Sequence, residues 1–120
     1  METLVVWLPR IGAGITFLIG LVGFFKPRLF LDQVNIELTS PMAFSEARAV
    51  FGGLNIGGAV AAFTLGEPAI FTALGMAWAA VTLARVWSIA VDGIGVKASV
   101  PALVFDGALC FLFLSPLLLA

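Results

Sequence analysis

The sequence predicts an all-α protein, a four-transmembrane-helix bundle with antiparallel up-down topology, and three observations carry that prediction. Of its 120 residues 62% are hydrophobic and only 11% charged, with a mean hydropathy of +1.16; a soluble domain carries about 25% charged residues. The apolar residues gather in four long runs, each near the roughly 20 residues a helix needs to cross about 30 Å of hydrocarbon. The separators are short and hold most of the Gly, Pro and charge. One integral membrane domain, residues 1–120, fills the chain, and no length is left for a soluble one.

The first span is expected over about residues 9–25, inside an apolar run from Thr3 to Phe25 that Lys26-Pro27-Arg28 ends. Glu2 at the start and the basic residues behind the run argue for a retained helix over a signal peptide, which needs the reverse charge order and a small-residue cleavage site. Pro9 suits a first-turn position, where its missing N–H is no loss. Met1 to Leu8 would then lie at the interface through Trp7, with Arg10 reaching the headgroups. Residues 26–41 form the longest connection. Pro27 to Leu31 reads as a short interfacial helix, and the alternation of Val34, Ile36 and Leu38 with polar residues has the period of an extended segment.

Ser40 is placed to cap the second span, with Pro41 at its first position and the span itself over about residues 42–65. Gly66-Glu67-Pro68 is a three-residue turn, so the third span, about residues 69–91, returns antiparallel beside it. Asp92-Gly93-Ile94-Gly95 breaks that helix. Lys97-Ala98-Ser99-Val100-Pro101 leads into the fourth span, about residues 101–119. Lys26, Arg28 and Lys97, with Arg48 and Arg85 toward the same side, outweigh Arg10 on the other. The positive-inside rule therefore predicts an inner-membrane protein whose N- and C-termini are periplasmic.

Charge inside these runs demands a reason, because each charged residue at a helix centre costs about 2.5–3.5 kcal/mol on insertion scales. On the second span Arg48, Gly52, Asn55 and Ala59 form one stripe, and on the third Trp78, Thr82, Arg85, Ser88 and Asp92 form another. Asp106 falls about one and a half turns into the fourth span, roughly 7 Å from its start at 1.5 Å per residue. The expected cluster is therefore Arg48, Arg85 and Asp106, with Asp92 or Glu46 as further acids and Asn55 alongside. Its bland role is an ion-pair network that sets helix register; its sharper role is a site for an anion or lipid headgroup, which guanidinium forks match. Gly53 and Gly57 form a GxxxG pair, Ala73 and Ala77, continued by Ala80 and Ala84, give the third span small positions, and Gly12, Gly14, Gly20 and Gly23 extend this to the first. Such residues let helices approach closely in lipid, within the chain or with a partner.

The chain contains no histidine, which removes the usual zinc and haem ligands and the commonest general base. No metal, cofactor or catalytic residue is expected, and the reading is of a protein that is not an enzyme. Six Lys and Arg in a chain of net charge −1 leave no basic face for nucleic acid. Cys110, the single cysteine, reads as a small apolar residue.

Ala47-Arg48-Ala49-Val50-Phe51-Gly52-Gly53, followed by Ala84-Arg85 and Asp92-Gly93, resembles a family of small bacterial four-helix membrane proteins catalogued only as a domain of unknown function. The resemblance covers most of the chain and is strongest from the second span onward. It implies the fold and a shared polar cluster in which Asp106 takes the place of an acid that is more usually glutamate, and it implies no activity. The function expected is association, as a homo-oligomer or as an accessory subunit of a larger membrane complex, with the lipid bilayer as the other partner. The alternative is a small transporter or an anion or lipid-headgroup binding protein using Arg48, Arg85 and Asp106.

Overall fold

A computed structural model describes residues 2–119, and among them there is no strand. Helix α1 is Glu2–Phe25; α2 is Arg28–Leu31, followed by a 3₁₀ turn at Asp32–Val34; α3 is Pro41–Ala47, which passes through a π-helical segment, Arg48–Gly53, into α4, Leu54–Leu65; α5 is Pro68–Val91 and α6 is Val96–Leu118. Four stretches are long and apolar enough to cross a membrane: Glu2–Phe25, Pro41–Leu65, Pro68–Val91 and Val96–Leu118. The chain is a multi-pass, all-α membrane protein.

Local chemistry sets most of these ends. Ser40 is extended and its side chain accepts a hydrogen bond from the Ala43 N–H at 3.1 Å, with Pro41 at the first helical position. Gly66, at a φ of +60°, turns the chain into α5, and Gly93, at +72°, turns it out again; side chains other than glycine's disfavour that region. Residues 32–35 are not extended: Val34 closes the 3₁₀ turn and Asn35 is left-handed at a φ of 61°, a conformation asparagine tolerates better than most residues.

Two starts differ from expectation. Helix α1 begins at Glu2 and runs through Pro9, which is buried within it. Proline removes the N–H that would bond the Val5 carbonyl, four residues back; beside it the Arg10 guanidinium donates to the Val6 carbonyl at 2.6 Å. Helix α6 begins at Val96, ahead of Pro101, and the Gly95 carbonyl accepts from both the Ser99 hydroxyl at 3.1 Å and the Ser99 N–H at 3.2 Å. Pro101 is exposed, and the Lys97 carbonyl it leaves without an N–H lies in the exposed first turn.

The chain divides into two compact units, and α1 contributes to both. Residues 13–65 form one. In it α1 runs antiparallel to the second span: Gly14 faces Phe63, Gly20 faces Ile56 and Gly23 faces Phe51, so partner numbers fall as α1 numbers rise. Its core is made mostly of small residues, with Ala13, Thr16, Ala47, Ala59 and Ala62 buried, together with Leu31. Residues 2–12 and 66–119 form the other. There α5 and α6 make an antiparallel pair with Gly75 against Phe113 and Leu114, Gly12 of α1 meets Leu112 and Phe113, and Phe71, Leu109 and Phe113 are buried.

Large side chains lie outside. Leu54 is 71% exposed, and Leu83 and Trp87 each 69%. Small residues inside and large apolar residues outside invert the soluble pattern, and suit a chain whose surroundings are hydrocarbon and whose helices associate by close backbone packing.

Candidate functional site

Arg85 and Asp106 meet, as expected. Nε of Arg85 donates to Oδ2 of Asp106 across the α5–α6 pair. The Asp106 side chain is 4% exposed and that of Arg85 40%, so the acid sits in the helix interface and the base reaches out from it. Asp106, Leu109 and Phe113 are buried at spacings of three and four residues on α6, a helical stripe that turns the carboxylate toward α5. Because α6 begins at Val96, Asp106 lies about 15 Å along the helix at 1.5 Å per residue, further from the helix start than the roughly 7 Å expected. A carboxylate buried inside an apolar helix pair needs a charge-assisted partner, and Arg85 provides it. Trp78 packs edge-on to Phe105 with ring centroids 6.3 Å apart, closing the same helix pair on one side.

Arg48 does something different. Its Nη1 donates to the carbonyls of Phe24, in a short contact, and of Phe25 at 3.3 Å. These oxygens are the last of α1, where the helix ends because Pro27 cannot continue it. The final carbonyls of a helix lack intrahelical donors and carry the negative end of its dipole. Helix α1 has no basic residue in its last turn; Arg48 supplies the missing cation from the second span. In apolar surroundings each such carbonyl left unpaired would cost several kcal/mol.

The π-helical segment and three glycines make this reach short. The Leu54 N–H bonds the Ala49 carbonyl, five residues back, which marks the wider turn. A Cβ added to Gly23 would stand 2.7 Å from the Phe51 carbonyl carbon, and one on Gly52 would stand 2.7 Å from the Phe24 backbone. Each glycine therefore admits the other helix's backbone, and Gly20 does the same beside Ile56. Arg48 follows from that contact: it is four residues, about one turn, before Gly52.

The remaining expected residues fall as follows. Asn55 Nδ2 donates to the carbonyl of Phe51 at 2.8 Å, a bond within its own helix. Asp92 is exposed and forms the C-cap of α5, its backbone N–H bonding the Ser88 carbonyl. Glu46 is exposed and lines a shallow groove with Glu37. Gly53 and Gly57 are exposed: a Cβ on Gly53 would find only the Arg48 carbonyl, at 3.9 Å, and one on Gly57 would find nothing within 4 Å. Ala73 and Ala77 are likewise exposed. As contacts inside the chain these four are corrected: Gly20, Gly23, Gly52 and Gly75 make the close approaches, because the buried positions are Gly52 on the second span, one before Gly53, and Phe71 and Gly75 on the third, two before Ala73 and Ala77.

Two residues carry more than the sequence suggested. The Arg28 guanidinium carbon lies 5.0 Å from the Phe44 ring centroid, and that of Arg48 lies 5.9 Å from the same ring. Arg28 counts in the sequence only toward orientation, and Phe44 looks like any apolar residue near a helix start. The available signal was the basic pair around Pro27, just where α1 loses its backbone donors.

A family model described as "Domain of unknown function (DUF4345)" matches residues 6–117. The chain belongs to that family. No curated protein and no solved structure gives a significant match.

Proposed function

We propose that this chain, as a member of a family with no assigned activity, acts without catalysis, by associating with a second copy of itself in the bacterial inner membrane with its termini on the periplasmic side. The observation that carries the reading is the outward position of the small residues. Gly53 and Gly57 on one helix face, and Ala73, Ala77, Ala80 and Ala84 on another, are all exposed. Small residues facing lipid give up the contacts that larger side chains would make there, whereas against another helix they permit close packing. The absence of histidine, the commonest general base, supports a non-catalytic role.

The test is native mass measurement after gentle detergent extraction. A dimer or larger homo-oligomer is expected, and Gly57→Leu should weaken it at least about tenfold without lowering the thermal midpoint of the monomer, because a Cβ there meets nothing within 4 Å and the position is exposed. A wild-type protein that is wholly monomeric overturns the reading; a monomer that leaves the membrane with a different protein at fixed stoichiometry replaces it with the accessory-subunit role.

A further inference from the structure

An open cavity of about 670 Å³ lies where the connection after α1 meets the start of the second span, within the unit of residues 13–65. Arg28 and Arg48 line it together with Phe44 and the hydroxyl residues Thr39, Ser40 and Ser45. No carboxylate does. Glu37 and Glu46 line the neighbouring groove of about 270 Å³ instead, so acid and base are sorted to different hollows of one short region.

The two arginines are poised and incompletely used. Both guanidinium groups gather around the Phe44 ring, at 5.0 and 5.9 Å from its centroid, which holds two like charges near each other and fixes their stems. Neither forms an ion pair among the described residues. Arg28 makes no hydrogen bond there, and Arg48 engages only Nη1, leaving Nε and Nη2 for another acceptor. The Ser40 oxygen accepts from Ala43, so its own proton stays available. Two guanidinium forks and several hydroxyl donors in a cavity within the usual ligand range of about 300–1,000 Å³ lack one thing, an anion with several acceptor oxygens.

We infer that this cavity binds a phosphate group through Arg28 and Arg48, with Phe44 holding the two guanidinium groups in place. The chemistry is that of a phosphate monoester or diester, since the guanidinium fork matches phosphate oxygens and the cavity offers more donors than a single carboxylate can use. An anionic phospholipid headgroup is the favoured source. Apolar surface is exposed next to the lining residues in the chain, Leu29 after Arg28 at 58% and Met42 after Pro41 at 69%, where one membrane-crossing helix has ended and the next begins, which sets the cavity at headgroup depth. This relocates the anion-binding expectation from Arg48, Arg85 and Asp106 to Arg28 and Arg48, and it does not depend on self-association.

The experiment is native mass measurement of the detergent-extracted full chain titrated with phosphatidylglycerol, with phosphatidylcholine and with inorganic phosphate. Arg28→Gln should lower retention of phosphatidylglycerol about tenfold or more, the loss of one charge-assisted contact, while Lys97→Gln, an equal change in charge outside the cavity, should not. Arg48→Gln alters the end of α1 as well, so Phe44→Leu serves as the second variant and should weaken binding with helicity unchanged by circular dichroism. If inorganic phosphate binds with the same Arg28 dependence, and phosphatidylglycerol does not, the site is one for free phosphate. Equal retention of every probe by wild type, Arg28→Gln and Lys97→Gln overturns the site.

Discussion

Arg48 and Arg85 both sit in apolar helices of this chain, and the two units handle them in opposite ways. In the α5–α6 pair Arg85 answers a buried acid, and the charges cancel. In the unit of residues 13–65 Arg48 answers no acid; it answers the backbone, and its charge remains to act outward. One arrangement neutralises and locks, and the other caps a helix and leaves a cation at the rim of a cavity. The difference shows that an intramembrane arginine is not by itself a sign of an ion-pair network. What matters is whether a carboxylate or a helix end lies within its reach.

Breaking the neutral pair should have the largest effect. Arg85→Leu leaves Asp106 buried with no cation, and is expected to destabilise the protein by about 3–5 kcal/mol, read by unfolding in mixed micelles. Arg85→Leu combined with Asp106→Leu should recover most of that loss, since no unpaired charge remains. Additive losses in the double variant would mean that the contact contributes no coupling.

The next effect sharpens the contrast at the second span. Gly52→Ala forces a methyl group toward the Phe24 backbone and should cost about 1–3 kcal/mol as overpacking. Gly53→Ala, one residue on, meets only a distant carbonyl and should be neutral or stabilising by about 0.5–1 kcal/mol, because alanine is the better helix former. Equal stabilities for the two variants would contradict the close crossing of α1 with the π-helical segment.

Arg48 should show a smaller change than Arg85. Arg48→Gln removes a cation from the end of α1 and weakens its bonds to two carbonyls, at about 1–2 kcal/mol. Hydrogen exchange locates it: amides of the last turn of α1 should exchange faster while those of α5 and α6 keep their protection. Uniform acceleration through the whole chain would instead make Arg48 a determinant of global stability, as Arg85 is.

Much of this could be read along the chain. The solvent, the four spans, the Ser40 cap and the two glycine turns follow from composition and local signals, and the family pattern at Arg48-Ala49-Val50-Phe51-Gly52-Gly53 was legible as a unit. Pairing of Arg85 with Asp106 was accessible too, because two charges on neighbouring spans have few other outlets in lipid. The role of Arg48 was not, since the Phe24 and Phe25 carbonyls are invisible in side-chain patterns. Pro9 and Pro101 also misled in the same direction: a proline in a first turn is common, and nothing local announces that the helix starts several residues earlier.

By itself, then, the sequence determined what each segment must be, for hydrophobicity, capping and turn chemistry act within a few residues and need no partner. The tertiary structure alone decided what each charge and each glycine answers. Helix crossings depend on backbone approach, and a single π-helical segment shifts which face of a helix meets its neighbour. That geometry turned Gly52 inward and Gly53 outward, and it gave Arg48 a helix end where Arg85 has an acid.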